Sequence, residues 1–417
     1  PKRVATRLMG YADASNKPTQ AQYLSLIAPE SQSDMSPPSQ GVLPGQPFPF
    51  FLAHPFQDDI QTLGPVSDWL VEWKFDGIRA QCVKDEGRVW IWSRGEELVS
   101  EQFPELCAAF EAWPDGTTLD GEILVWVNDQ PAGFNALQGR LNRKQVSKKL
   151  LQDAPVVFMA YDLLRLNHQN WVDQAQHLRR AQLDAFVHAH KAQSVYSNLP
   201  RLLVSNCVAT PQGTWAELES LRQQSRARGV EGFMLKHKDA RYGVGRTKAD
   251  GVWWKWKIDP MTVDCVLVYA QRGHGRRASL YTDYTFAVWE TPPADAAQAQ
   301  AVAQAIAAGE KVDDTTARGL PRLVPFAKAY SGLTDEEFKQ VDREIRKHTV
   351  DKFGPVRTVV PTLVFELGFE AISLSNRHKS GVAVRFPRML RIRTDKPLHE
   401  ADSLAQLMAL LPAEKTQ

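Results

Sequence analysis

The stretch VEWKFDGIRAQC (Val71–Cys82) decides how the first half of this chain is read. Val71, Trp73 and Phe75 alternate with Glu72, Lys74 and Asp76, which predicts a strand before Gly77 and Ile78. Lys74 stands between two aromatic residues, with a carboxylate two places away on either side and Arg79 close behind. A lysine amine attacks at neutral pH only as the free base, a form favoured by partial burial and neighbouring cations. Arg79, Arg94, Lys255 and Lys257 are available as such cations.

The 417 residues suffice for two or three domains, and 43% hydrophobic with 24% charged residues is an ordinary globular composition. The formal net charge of +2 hides basic clusters, RGHGRR (Arg272–Arg277) and RFPRMLRIRTDK (Arg385–Lys396). Cys82, Cys107, Cys207 and Cys265 are scattered, with neither zinc-ligand spacing nor the density of a disulfide scaffold, so a reducing cytoplasm is expected. No apolar run reaches 18 residues and no signal-peptide pattern occurs, so no membrane is expected. The chain opens on Pro1 rather than methionine, as a fragment or a processed chain would.

Residues 1 to about 30 carry apolar residues at helical spacing, and a Ser/Pro/Gly/Gln linker follows, so compact structure should begin near Phe50. From there to Ile258 strands and helices mix irregularly, which predicts an α+β domain with antiparallel sheets. GRVWIWSRG should pair with the opening strand across the KDEG turn, and TWAELESLRQQSRARG should form a helix closed by Gly229. From Asp259 the pattern becomes that of a small barrel. Five strand-like stretches, including TLVFELGFEAI and GVAVRFPRMLRIR, are interrupted by an alanine-rich and a charged helix, as in a five-stranded OB-fold with helical insertions. The expected domains are therefore 1–49, 50–258 and 259–417.

Further clusters accompany Lys74. LDGEILVW places Asp120 and Glu122 on one strand face, and FMAYDLL sets Tyr161 and Asp162 in an apolar run. VEGFMLK puts Glu231 and Lys236 at the two ends of an apolar strand, and WWKWK points Lys255 and Lys257 the same way. Alone, each reads as the polar face of a strand or, for FMAYDLL, as core packing. Their order together resembles the ATP-dependent DNA ligases, within the covalent nucleotidyltransferases that include RNA ligases and capping enzymes. KFDGIR resembles motif I, SRGEE motif Ia, LDGEI motif III, FMAYDLL motif IIIa, EGFMLK motif IV, WWKWK motif V and RIRTDK motif VI. The resemblance runs from about Phe50 to Asp402 and is greatest to bacterial members with a eukaryote-like core.

The resemblance implies an adenylyltransferase domain followed by an OB-fold domain, with 1–49 the remnant of a helical DNA-binding region plus linker. It implies that Lys74 attacks the α-phosphate of ATP, with Asp76 beside the reacting centre and Lys255 and Lys257 gripping the AMP phosphate. Glu72 would accept from the adenine amino group, and Tyr161 would stack on the ring where many relatives have phenylalanine. Arg79 and Glu122 would hold the ribose, and Arg94 would contact phosphate. Lys236 would join the nucleotide site, and Glu122 and Glu231 would hold Mg²⁺ or Mn²⁺, hard ions suited to carboxylates. Motif VI, with Arg391, Arg393, Asp395 and Lys396, would orient the pyrophosphate and then swing away about a pivot near Asp259. AMP would pass from Lys74 to the 5′-phosphate of nicked double-stranded DNA, and the 3′-hydroxyl would seal it. Backbone contacts are expected from Arg272, Arg276, Arg277, Arg385 and Arg388. The implied protein is a monomeric bacterial repair ligase of the cytoplasm and nucleoid. The alternatives are an RNA ligase or capping-type enzyme with the same lysine chemistry, or a non-catalytic nucleic-acid-binding module. An NAD-dependent ligase lacks support, because no four-cysteine zinc site is present.

Overall fold

The computed structural model describes residues 45–411 apart from 142, 144, 145, 191, 192, 195, 196, 211, 276, 277, 313 and 315–318, together with Gln20 and Leu24. The helical expectation for residues 1–30 and most of 1–49 therefore lies outside the described residues, as do Arg276 and Arg277. The described chain forms two compact units that divide between Ile258 and Asp259.

The first unit holds two larger sheets, beside a small two-stranded one of Gln193–Ser194 and Ser197–Pro200. β1 (His54–Pro55), β2 (Trp69–Phe75), β8 (Val230–His237) and β9 (Trp253–Lys257) form one, in the order β1-β9-β8-β2. β3 (Ile78–Asp85), β4 (Arg88–Ser93), β5 (Thr117–Val127), β6 (Val156–Leu166) and β7 (Leu202–Val204) form the main path of the other, in the order β7-β6-β5-β3-β4. Pairing is antiparallel except for β1 on β9 and β7 on β6. Helices α1 (Pro104–Phe110) and α2 (Gln176–Ala189) bury Leu106, Phe110, Leu183 and Phe186 against Leu119, Ile123, Phe158 and Leu163 of the larger sheet. Helix α3 (Trp215–Arg222) buries Trp215 and Leu218 against Val71, Phe233, Leu235 and Trp256 of the smaller one. Its Thr214–Glu217 capping box sets its start. It stops at Arg222 rather than running to Gly229, because residues 223–229 continue as turns that end on Gly229 at φ +68°.

The opening stretch is two strands, not one. β2 and β3 belong to different sheets, and the chain changes sheet at Asp76 and Gly77. A Cβ on Gly77 would lie 2.3 Å from the Ile123 carbonyl oxygen and 2.9 Å from Glu122 Cγ, so only glycine lets the crossing press against β5. The alternation continues on both sides of the glycine, which is why the break is invisible in the pattern.

The second unit is an OB-fold domain. β10 (Met261–Arg272) pairs with β11 (Tyr281–Trp289), which pairs with β12 (Leu323–Ala329). β13 (Thr349–Phe353) and β14 (Val356–Val359) make a hairpin on β10 that the sequence reading passed over. β15 (Val364–Phe369) joins β10 to β18 (Arg388–Ile392), and β16 (Ala371–Leu374) pairs with β17 (Val382–Arg385). The larger sheet thus has seven described strands rather than five. TLVFELGFEAI and GVAVRFPRMLRIR each break into two strands, the second at Phe386, whose φ is +51°, followed by Pro387. Helix α4 (Ala296–Ala307) packs Val302 and Ile306 on Trp289, and α5 (Asp335–His348) packs Phe338, Val341 and Ile345 in the barrel core.

Among the described residues the cysteines are free, with Cys82 and Cys265 buried, and no helix is long and apolar enough to cross a membrane.

Candidate active site

Lys74 lies at the end of β2, where the β2–β8 ladder is irregular. Trp73 pairs with Phe233 and Phe75 with Val230, so Glu231 and Gly232 together oppose Lys74. This bulge turns Glu231 toward the lysine. Gly232 has φ +123°, and a Cβ there would meet the Trp256 carbonyl oxygen at 2.4 Å. The Lys74 ammonium donates to Glu231 Oε2, and Lys257 Nζ stands 3.3 Å from the same oxygen. Burial pushes the Glu231 carboxyl up, but Lys74 and Lys257 outweigh it and hold it below the ordinary range. Lys255, in register with Met234 one strand away, has its pKa lowered by burial and by Lys257, Lys74, Arg246 and Arg94. Three of the four expected cations, Arg94, Lys255 and Lys257, thus gather with Lys74 here, and Arg246 joins them. The sequence reading missed it because it lies in the loop before β9, outside any strand pattern.

Glu72 sits two residues before Lys74 on β2 and is buried, with only 1% exposure. Its Oε1 accepts from Arg180 Nη1 at 2.5 Å, and its Oε2 is 2.7 Å from Lys236 Nζ. Lys236 also donates to the Tyr161 carbonyl oxygen at 3.0 Å and lies 4.5 Å and 4.6 Å from the ring centroids of Tyr161 and Trp253. Burial raises the Tyr161 phenol well above its usual range, so the ring stays neutral. Arg180 comes from α2, and nothing in its amphipathic spacing separates it from a packing residue.

Arg79 grips Asp120, not Glu122. Its Nε and Nη2 donate to the two Asp120 oxygens at 3.2 Å and 2.7 Å, and its Nη1 donates to the Phe51 carbonyl at 2.7 Å. The guanidinium stacks 5.8 Å from the Tyr161 ring centroid. Asp120 also accepts from the Tyr242 hydroxyl at 2.6 Å. Glu122 lies across the β3–β5 ladder from Arg79 but accepts from the Gly77 N–H at 3.2 Å. Burial pushes its carboxyl up to about 7 against the pull of Lys74 and Arg79. Asp76 is half-buried at the sheet crossing, and Arg94 is exposed with its N–H on the Arg79 carbonyl at 3.0 Å. Asp162, in the same motif as Tyr161, is structural: it takes a bidentate, fully buried pair from Arg179 at 2.8 Å and 2.9 Å.

Among the described residues no three His, Cys, Asp or Glu side chains gather as a metal cluster. A magnesium-type ion, however, commonly binds through one or two carboxylates plus water and phosphate oxygens. Glu122 fits that role as a desolvated carboxyl that accepts from a backbone N–H.

In the second unit, Arg391 is exposed and donates to Glu366 Oε2 at 2.6 Å. Arg393 and Lys396 converge on Asp264, at 2.8 Å and 2.7 Å, and Arg393 also binds Asp395, whose carboxyl it lowers to about 2. Arg385 stacks 4.7 Å from the centroid of the exposed Phe386 ring, with Arg388 exposed beyond it. Arg272 lies 5.8 Å from the Tyr281 ring centroid.

Two family models match the chain: the ATP dependent DNA ligase domain over residues 50–257 and the ATP dependent DNA ligase C terminal region over 307–396. A probable DNA ligase of Koribacter versatilis is 35% identical over 370 residues, which is 86% of this chain and 59% of that protein. A probable DNA ligase of Opitutus terrae is 33% identical over 418 residues, which is 96% of this chain and 38% of that protein. The chain therefore spans about half the length of these relatives. A solved structure of a Lig E DNA ligase shares the fold, with a TM-score of 0.53 at 19% identity, over 83% of this chain and 99% of that one. With two models covering well over half of the residues, the chain belongs to the ATP-dependent DNA ligases of the nucleotidyltransferase superfamily.

Proposed function

We propose that this chain is the catalytic core of a DNA ligase that seals 5′-phosphate/3′-hydroxyl nicks through a lysyl-AMP intermediate. The observation that carries the reading is the bulge that sets Lys74 against Glu231 inside a group of Lys255, Lys257, Arg94 and Arg246. Several cations around one carboxylate leave the pocket positively charged, which suits a triphosphate and its developing transition-state charge.

In the first step Lys74 Nζ forms a bond to the α-phosphorus of ATP as the bond to the β-phosphate oxygen breaks and pyrophosphate leaves. Lys74 attacks as the free amine and its proton passes to solvent, while Glu231, kept ionised by Lys74 and Lys257, orients the amine. Lys255 and Lys257 stabilise the charge on the α-phosphate oxygens, and Arg94 meets the outgoing phosphates. Tyr161 stacks on the base, and Glu72 accepts from its amino group. Arg79 stays on Asp120 and shapes the ribose side of the site. A divalent ion held by Glu122 and Glu231 would supply further charge neutralisation. Arg391 orients the pyrophosphate. AMP then moves to the 5′-phosphate of the nick, and the 3′-hydroxyl displaces it. Arg385, Arg388 and the exposed Phe386 present a basic, partly aromatic surface suited to a DNA backbone and groove, and Arg272, at the other end of β10, would meet the backbone separately. The chain acts as a monomer, with a role in repair.

Incubation with α-³²P-labelled ATP and Mg²⁺, followed by a denaturing gel, tests the reading. A labelled band in the wild type that is absent in Lys74→Ala supports it, and chase with nicked DNA or nicked RNA identifies the acceptor. A folded wild type that takes no label refutes it.

A further inference from the structure

Glu72 is held from two separate parts of the chain. Arg180 reaches it from α2, with its own Nε tied to Asp184 Oδ1 one turn along at 2.8 Å. Lys236 reaches it from β8, locked between two aromatic rings and the Tyr161 carbonyl. Arg180 and Lys236 are both buried, and each holds Glu72 while tied to a second partner, Asp184 for Arg180 and the Tyr161 carbonyl for Lys236. Lys236, expected as a nucleotide contact, also helps orient Glu72.

A carboxylate paired on both oxygens is fixed in direction and can only accept hydrogen bonds. Glu72 lies on the same face of β2 as Lys74, about 7 Å along the strand. That places a fixed acceptor at the far end of a nucleoside whose phosphate meets Lys74. Such an acceptor favours a purine with an amino group at position 6 and repels one with a carbonyl oxygen there.

We propose that Arg180 is a positioning residue that sets the base selectivity of this site by clamping Glu72, with Asp184 bracing Arg180. The inference rests on the nucleotide-transfer reading above. A helix residue outside every ligase motif in the sequence thereby decides between 6-amino and 6-oxo purines.

The test compares labelling of the full chain by α-³²P-ATP and α-³²P-ITP, as kcat/KM for each, in wild type, Arg180→Met, Arg180→Lys and Asp184→Ala, with thermal melting as the check on folding. The expected result is a wild-type preference for ATP that falls about ten- to a hundredfold in Arg180→Met, mainly through KM for ATP. Arg180→Lys restores part of the preference. Asp184→Ala, at an exposed brace, folds and loses less of it. An unchanged ATP:ITP ratio in folded Arg180→Met overturns the inference. If that variant does not fold, an unchanged ratio in both Arg180→Lys and Asp184→Ala overturns it equally. A wild type labelled by neither nucleotide overturns the underlying function instead, so the two failures are distinguishable.

Discussion

Lys74 and Glu231 are 157 residues apart in sequence and share a hydrogen bond because one bulge opposes two residues of β8 to one of β2. Lys257 completes the group from the next strand over, 3.3 Å from the same carboxylate oxygen.

Lys257→Ala removes a cation from a partly exposed pair, so the fold should lose no more than about 1 kcal/mol. Its effect on lysyl-AMP formation should be far larger, about 10²- to 10³-fold, the usual cost of deleting one preorganised electrostatic donor. Rapid-quench measurement of labelling beside a urea melt separates the two. An unchanged rate in a folded variant would remove Lys257 from the phosphate site.

Gly77→Ala should damage both fold and chemistry. The new methyl group would lie 2.3 Å from the Ile123 carbonyl oxygen, on backbone that cannot swing aside. A loss of about 1–3 kcal/mol is expected from overpacking. The crossing from β2 to β3 would shift, moving Lys74 relative to Glu122, and adenylylation should fall with it. Wild-type stability in this variant would show that the crossing tolerates a side chain.

Glu122 makes a pH-dependent contribution whose sign follows from its environment. Burial raises its carboxyl from an ordinary 4.5 to about 7, so folding favours the protonated acid. That contribution is fully present below about 4.5 and is lost as the pH rises through about 7. Glu122→Gln keeps a neutral acceptor for the Gly77 N–H. In a chelator, its stability relative to wild type should climb across that window and then level off. The ceiling is about 3 kcal/mol, because each tenfold change in proton affinity is worth about 1.4 kcal/mol. A difference between the two proteins that is flat from pH 4.5 to about 8 would show that Glu122 is not desolvated.

Arg391→Ala should leave the OB-fold domain intact, because its partner Glu366 is met at an exposed position worth less than about 1 kcal/mol. Lysyl-AMP formation should drop about tenfold or more, the effect of losing a charge-assisted contact to pyrophosphate. Sealing of a pre-adenylated nick should stay near wild type. If the variant seals such a nick no better than an ordinary one with ATP, the residue does not belong to the first step.

Local pattern carried much of this protein. Alternation in VEWKF, in LDGEILVW and in WWKWK placed Lys74, Glu122, Lys255 and Lys257 on strands, because side-chain period 2 is a property of consecutive residues. The chain divides between Ile258 and Asp259 into two compact units. What the sequence could not determine was which groups meet. The strand that seemed continuous through Gly77 changes sheet because of contact with Ile123, a residue 46 places on. Arg79 took Asp120, and Arg180 took Glu72. Ion pairs between distant segments depend on register, on a bulge and on which side chains burial leaves without water. Those are properties of the packed chain, and only the tertiary structure decided them.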